Sequence, residues 1–286
     1  MLNLSLLLAA KFVTSLIMRL LQQTGQDEFS LVSVPTHNTE SYAILSHTWF
    51  DSQEFTYNDL TTGAGRSKTG FEKVKFCSKQ ATQDGLQYFW IDTCCIDRSN
   101  NTELTTAINS MFRWYQNAKK CYVFLADVSI PDFDTVNQST WEIAFRQSRY
   151  WTRGWTLQEL IAPTIVEFFS KEGRPLGDKK KLEMLIHETT GIPVLALRGD
   201  PFSNFSVAER KNWVAQRETT EEEDIVYCIL GLCEVSMAPI YGEGNNAALK
   251  RFQMTIKKFS KDSTEPVIHE GTVYLAAGRL LLTSTM

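Results

Sequence analysis

Tyr42-Ala-Ile-Leu-Ser46-His47 is an unbroken apolar run that closes on two polar residues, the pattern of a strand buried on both faces with a polar carboxyl end. Working outward, the pattern returns at Gln87-Tyr-Phe-Trp-Ile-Asp92, at Cys121-Tyr-Val-Phe-Leu-Ala-Asp127 and at Thr164-Ile-Val-Glu-Phe-Phe169. Helical periods fill the gaps. Phe71, Val74, Ser78 and Ala81 form one stripe, with Gly85 where such a helix would stop. Leu104, Ile108, Met111 and Tyr115 form another, with Asn100 as its cap and Glu103 in its first turn, where an acid suits the helix dipole. Strands alternating with helices predict an α/β fold: a parallel sheet with crossover helices, covered on both faces.

The second half reads as mainly helical. Asp178 is expected to open a helix through Leu182, Leu185, Ile186 and Thr189 that closes at Gly191. Ser206 and Glu209 form a capping box ahead of Trp213. Glu221 to Leu232 starts with four acids and turns apolar, which predicts a further helix, and Leu249, Phe252, Ile256 and Phe259 stripe a last one after Asn245. Beyond about Lys261 this logic fades, and the apolar run Thr272 to Leu282 has no evident partner. The resulting division is an extension over 1–17, a domain over 18–260 and a divergent tail over 261–286. Leu2 to Ala10 is apolar, but the first basic residue, Lys11, follows it, and the run is far short of the roughly 20 residues that cross a bilayer. A lead-in helix, or an extension upstream of a start at Met18, is the reading adopted.

The 286 residues carry 29 Lys+Arg and 33 Asp+Glu, a net charge of -4, with no long basic run. Nucleic-acid binding is therefore not expected, since phosphate neutralisation needs a dense cationic surface. The six cysteines contain no CxxC pair and no histidine at zinc-ligand spacing, so reduced, buried thiols in a cytoplasmic protein are expected, with no metal.

In open α/β sheets, ligands bind beyond the carboxyl ends of the strands. Ser46, His47, Asp92 and Asp127 stand there, and His47 could pair with Asp92. The stretch Arg149-Tyr-Trp151-Thr-Arg153-Gly-Trp155-Thr-Leu-Gln158-Glu159-Leu-Ile-Ala-Pro163 is the densest in chemistry. On a helix, Trp155 and Glu159 share a face at i, i+4. The ring could stack a planar base while the carboxylate contacts a ribose or a developing cation, and Arg149 and Arg153 could meet phosphates. A packed tryptophan and a salt-bridged glutamate are the plain alternative. Gly65-Arg-Ser-Lys-Thr-Gly70 opens like a phosphate loop, but Phe71-Glu72 follow where Lys and Ser/Thr belong, so a flexible loop is expected. Gly242-Glu-Gly244 reads as turn punctuation, and His37, His187 and His269 have no partner pattern.

Three blocks carry a family resemblance. Tyr42-Ala-Ile-Leu-Ser-His-Thr-Trp49, Phe89-Trp-Ile-Asp-Thr-Cys-Cys-Ile-Asp97 and Thr152-Arg-Gly-Trp-Thr-Leu-Gln-Glu-Leu-Ile-Ala-Pro163 resemble the signature blocks of the heterokaryon incompatibility (HET) domain of filamentous fungi. Ala107-Ile108, Trp114-Tyr115, Glu223-Asp224 and Tyr241-Gly-Glu-Gly244 fall where that family has similar residues, so the likeness runs from about Met18 to Ser260. The resemblance implies a cytoplasmic effector of fungal allorecognition whose activation leads to programmed cell death.

The HET family is itself distantly similar to Toll/interleukin-1 receptor (TIR) domains, which implies a TIR-like, flavodoxin-like sheet over about 42–169. Trp155-Thr-Leu-Gln-Glu159-Leu160 resembles the TIR helix motif Trp-Cys-Leu-x-Glu-Leu. The resemblance makes Glu159 the catalytic candidate for cleaving the nicotinamide–ribose bond of NAD, a substrate rather than a cofactor. It also implies that Ser46, His47, Trp49, Asp92, Arg153 and Trp155 line the substrate pocket. Thr156 replaces the TIR cysteine, and Cys94-Cys95-Ile96-Asp97 stand where TIR domains carry a glycine loop. The alternative is a non-catalytic TIR-like module that signals by self-association. No sensor domain is recognised in the chain, so a trigger from a partner protein, from self-association or from a ligand is expected; neither nucleic acid nor membrane is expected as a partner.

Overall fold

The computed structural model describes residues 17–35, 41–50, 52–130, 138–262, 267–269 and 272–274. A seven-stranded sheet organises them. Its first two strands, β1 (Ile17–Gly25) and β2 (Glu28–Pro35), form an antiparallel hairpin. Then come β3 (Tyr42–His47), β4 (Tyr88–Trp90), β5 (Lys120–Phe124) and β6 (Val166–Phe169), all parallel. β7 (Pro175–Asp178) returns antiparallel to β6. The spatial order is β2-β1-β4-β3-β5-β6-β7. Within it the parallel strands lie second-first-third-fourth, the arrangement of flavodoxin-like sheets. The α/β expectation therefore holds.

Helices α1 (Tyr57–Thr62) and α2 (Gly70–Gln83) carry the chain from β3 to β4, and α3 (Asp92–Cys95) with α4 (Asn101–Asn117) carry it to β5. Next come α5 (Gln138–Gln147), a 3-10 turn at Arg149–Thr152 and α6 (Thr156–Ile161) ahead of β6. The two faces of the sheet are covered by different helices. Phe89 packs edge-on with Phe29, which also meets Phe71 of α2, whereas Trp90 turns to Trp114 and Tyr115 of α4. This alternation is why β3 is buried at all six positions and why its sequence shows no polar period.

Asn100 caps α4 by accepting from the amides of Thr102 and Glu103, and Ser206 with Glu209 forms the expected capping box at the start of α9 (Val207–Asn212). The helices between are α7 (Glu183–Thr190) and α8 (Val194–Leu197); α10 (Asp224–Tyr227) and α11 (Asn245–Asp262) follow. A short hairpin of β8 (Val267–His269) and β9 (Thr272–Tyr274) comes after α11.

Several expectations need correction. The parallel strands do run from 42 to 169; beyond them the hairpin at 17–35 adds β1 antiparallel to the edge of β4, and β7 adds antiparallel to β6 on the other side. Ile17 lies in β1 rather than in a lead-in helix; residues 1–16, His37 and 275–286 lie outside the described residues. Asp178 ends a strand. Its carboxylate accepts from the Lys181 amide at 2.9 Å, a local turn that delays the helix to Glu183. The acids at 221–223 precede α10, which is one turn long, and a 3-10 turn at Gly231–Cys233 completes that segment.

Candidate functional site

The carboxyl ends of β3 and β4 open on a cavity of about 640 Å³, a size suited to a small-molecule ligand. His47, Trp49, Glu54, Asp92 and Arg98 line one side, and Arg153, Trp155, Thr156 and Glu159 another. Thr220, Glu221, Asp224 and Tyr241 come from the second half of the chain.

Glu159 sits in α6, every residue of which is buried. Ser46 Oγ donates to Glu159 Oε2 at 2.5 Å. A serine hydroxyl has one proton, so the Tyr150 hydroxyl, 2.9 Å from the same oxygen, donates to Ser46. Burial pushes the Glu159 carboxyl up to about 8, and the nearby Asp92 charge adds to the rise. Ser46 is fully buried beneath Glu159 and does not line the cavity, so it reaches a ligand only through that carboxyl.

Asp92 opens α3 directly after β4. Its Oδ1 lies 3.0 Å from His47 Nε2, and its Oδ2 accepts from Trp49 Nε1 at 3.1 Å and from Arg98 at 3.5 Å. The Arg98 guanidinium also lies 4.2 Å from the centroid of the Trp49 ring, a cation–π contact at the cavity wall. Burial pushes the Asp92 carboxyl up, but the hydrogen bond and charge of His47 and the charge of Arg98 outweigh it, so it lies below the usual range. Of the carboxyls that line the cavity, Glu159 is thus driven up and Asp92 down, the situation that separates proton-holding from charge-holding roles.

His47 is fixed from its other side. Lys73 Nζ donates to Thr48 O at 2.9 Å, to Glu54 Oε1, and to His47 Nδ1 at 3.1 Å. All three ammonium protons are used. Nδ1 therefore accepts, and Nε2 carries the proton it donates to Asp92. Lys73 and His47 are both more than nine-tenths buried, and burial lowers the Lys73 ammonium although Glu54 opposes the shift.

On the opposite wall, Trp155 Nε1 donates to Asp224 Oδ2 at 2.8 Å, and Tyr241 donates to Oδ1 at 2.9 Å. Burial leads the rise of the Asp224 carboxyl above its usual range. Arg153 lines the cavity and reaches Thr220 Oγ1 at 3.2 Å.

Of the residues singled out from sequence, His47, Trp49, Asp92, Arg153, Trp155 and Glu159 all face this one cavity. Asp127 and Arg149 do not. Asp127 accepts from Ser148 Oγ at 2.7 Å and from the Arg149 amide at 2.8 Å, closing a turn. The Gly65–Gly70 stretch is tied down by Lys68, which donates to Asp59 at 2.6 Å and lines the cavity. Gly70 is there for close approach: a Cβ would sit 2.5 Å from the Phe55 amide nitrogen. Sequence reasoning missed Glu54, Lys73 and Arg98, and gave Asp224 a family likeness but no place in the site. Lys73 offered no signal of its own, since Lys75 flanks Val74 in the same way and only the fold distinguishes the two. Among the described residues no cluster of His, Cys, Asp and Glu could hold a metal ion, and all six cysteines are free and buried. No helix among them is long and apolar enough to cross a membrane.

Residues 42–142 match the family described as Heterokaryon incompatibility protein (HET). The chain is also 51% identical over 243 residues to the Vegetative incompatibility protein HET-E-1 of Podospora anserina. That alignment covers 84% of this chain and 18% of the longer relative, so the chain spans about a fifth of it. No solved structure matches the chain. With the three blocks placed around one cavity, the family match and this identity together, the chain belongs to the heterokaryon incompatibility (HET) family.

Proposed function

We propose that this chain is the effector part of a vegetative incompatibility protein, acting in the cytoplasm to trigger programmed cell death, and that it does so by cleaving the nicotinamide–ribose bond of NAD. The observation that carries the reading is Glu159: a buried carboxyl, held by Ser46, that opens onto a ligand-sized cavity beside a second, charge-stabilised carboxylate. The likeness of Trp155 to Leu160 to the TIR helix motif supports it, as does the similarity of 84% of the chain to an incompatibility protein.

In this reaction the bond between ribose C1′ and the nicotinamide nitrogen breaks, and its electron pair leaves with neutral nicotinamide. Positive charge develops on C1′ and the ring oxygen, and water then adds at C1′ and gives up a proton. Glu159 in its ionised form stabilises that charge; the cationic nicotinamide ring of bound NAD favours this form. Asp92, pinned by His47, Trp49 and Arg98, holds a fixed negative charge at the same cavity. Trp155 and the Trp49–Arg98 pair offer stacking surfaces, while Arg98 and Arg153 offer guanidinium groups to the pyrophosphate.

The test is nicotinamide release from NAD by the purified chain at rising concentration, with a crowding agent, beside Glu159→Ala. Release that disappears in the variant, with an unchanged circular dichroism spectrum, supports the enzyme. Equal release from both proteins, or none from either at any concentration, overturns it. The second result leaves self-association, triggered by a partner protein, as the mode of action.

A further inference from the structure

Arg217 is a buried cation, 6% exposed, and makes no hydrogen bond to a carboxylate among the described residues. Its Nη1 donates to Arg153 O at 2.8 Å, to Thr156 Oγ1 at 2.9 Å and to Tyr150 O at 3.4 Å. Those three residues are the approach to α6 and its first turn, the turn that holds Glu159. Its Nη2 is buried with no partner among the described residues. Leaving part of a guanidinium unsatisfied in the interior is costly and calls for a compensating charge.

Arg217 belongs to the second half, and its segment is fastened to the approach on both sides. The Glu218 amide donates to Thr152 O at 2.6 Å and the Gly154 amide to Glu218 O at 2.9 Å. Trp155 is held by Asp224 further along. The cation is thus delivered by the helical half to the helix of the candidate catalytic acid.

We infer that Arg217 is the counter-cation that permits Glu159 to ionise inside the fold, a positioning residue contributed by the helical half. The inference rests on the proposed role of Glu159 for its meaning, but not for its test. Among the described residues, the following groups act on Glu159. Ser46 of β3 donates to its carboxyl, and the hydroxyls of Tyr115 in α4 and Tyr150 in the 3-10 turn lie beside it. Cys121 of β5 donates its thiol to the Glu159 carbonyl, and Asp92 of α3 supplies a like charge. Arg217 is the one cation among them, and its charge acts to lower the Glu159 carboxyl, against burial and Asp92.

The experiment follows the protonated-carboxyl infrared band of Glu159, assigned by its loss in Glu159→Gln, as a function of pH in the full chain. Arg217→Gln keeps hydrogen-bond donors without the charge, and Arg217→Lys keeps a charge without the guanidinium. The expected result is an ionisation midpoint higher by about one pH unit or more in Arg217→Gln, with Arg217→Lys between it and the wild type. Unchanged midpoints in both variants overturn the inference and leave Arg217 as a backbone clamp. If Arg217→Gln does not fold, the same change in a Glu159→Gln background decides: recovery of folding, the charge to be compensated being gone, supports the pairing, and continued failure overturns it. Nicotinamide release is measured beside it, so a chain that releases none still gives the ionisation midpoints.

Discussion

Trp155 and Asp224, 69 positions apart, are joined by an indole N–H donated to a carboxylate at 2.8 Å, directly at the cavity wall. Through this bond the helical half holds the residue that immediately precedes α6. Trp155→Phe keeps an aromatic ring but leaves Asp224 short of a donor. A loss of about 1 kcal/mol is expected, read from urea unfolding, because a half-buried acceptor loses one of its two donors, Tyr241 remaining. Trp155→Phe combined with Asp224→Asn should lose less than the sum of the two single changes, the signature of a direct pair.

Glu159→Gln should reverse its effect on stability with pH. The Glu159 carboxyl is raised to about 8 in the fold by burial, above its ordinary value of 4.5. The folded state therefore binds the extra proton between those values, and stability falls as pH rises through that window, at up to about 1.4 kcal/mol per pH unit. Glutamine carries no such dependence. Urea midpoints should be close for the two proteins near pH 5 and should favour the variant near pH 9.

Asp92→Asn should act in the opposite direction. Asp92 lies below its ordinary range although burial raises it, because His47 and Arg98 hold the charged form. Its stabilisation is present above the unfolded value and is lost as pH falls through the folded one. The variant should be less stable than the wild type at pH 7, by about 1–3 kcal/mol, with the gap closing in acid. Removing this charge should also lower the ionisation midpoint of Glu159, since the repulsion between the two carboxyls goes with it.

Lys73→Met removes a cation that is 2% exposed and strands Glu54, itself 7% exposed. Breaking a buried pair from one side costs about 3–5 kcal/mol. Lys73→Met with Glu54→Gln should recover most of that in thermal unfolding. In the single variant His47 loses the donor at Nδ1, so nitrogen NMR should detect a change in its tautomer balance.

The parallel core was legible because double burial leaves a simple trace. Tyr42–His47 is apolar for the same reason that it is central, and Asn100 and Ser206 announce their helices through side-chain caps. The hairpin at 17–35 was not legible. Arg19, Gln22 and Gln23 interrupt β1, and its turn depends on Asp27 at a φ of 56°, a conformation that glycine would have advertised. Its place in the sheet is set by Leu21 and Gln22 pairing with Phe89 and Tyr88, far along the chain. Of the candidate site, strand ends and motif led to His47, Asp92 and Glu159. Lys73 escaped notice because charge normally argues for exposure; here three acceptors converge on it. Nothing local couples Arg217 to Thr156 or Asp224 to Trp155.

The cavity draws its floor from the sheet and a wall from residues near 220, whereas the block matched by the family ends at 142. Glu159, Arg217 and Asp224 all lie outside that block. A chain can therefore keep the whole of the matched segment 42–142 and still differ at Glu159, Arg217 or the wall near 220. Under the proposed function, a chain altered at the positions of these three residues would be silent even with the matched segment intact.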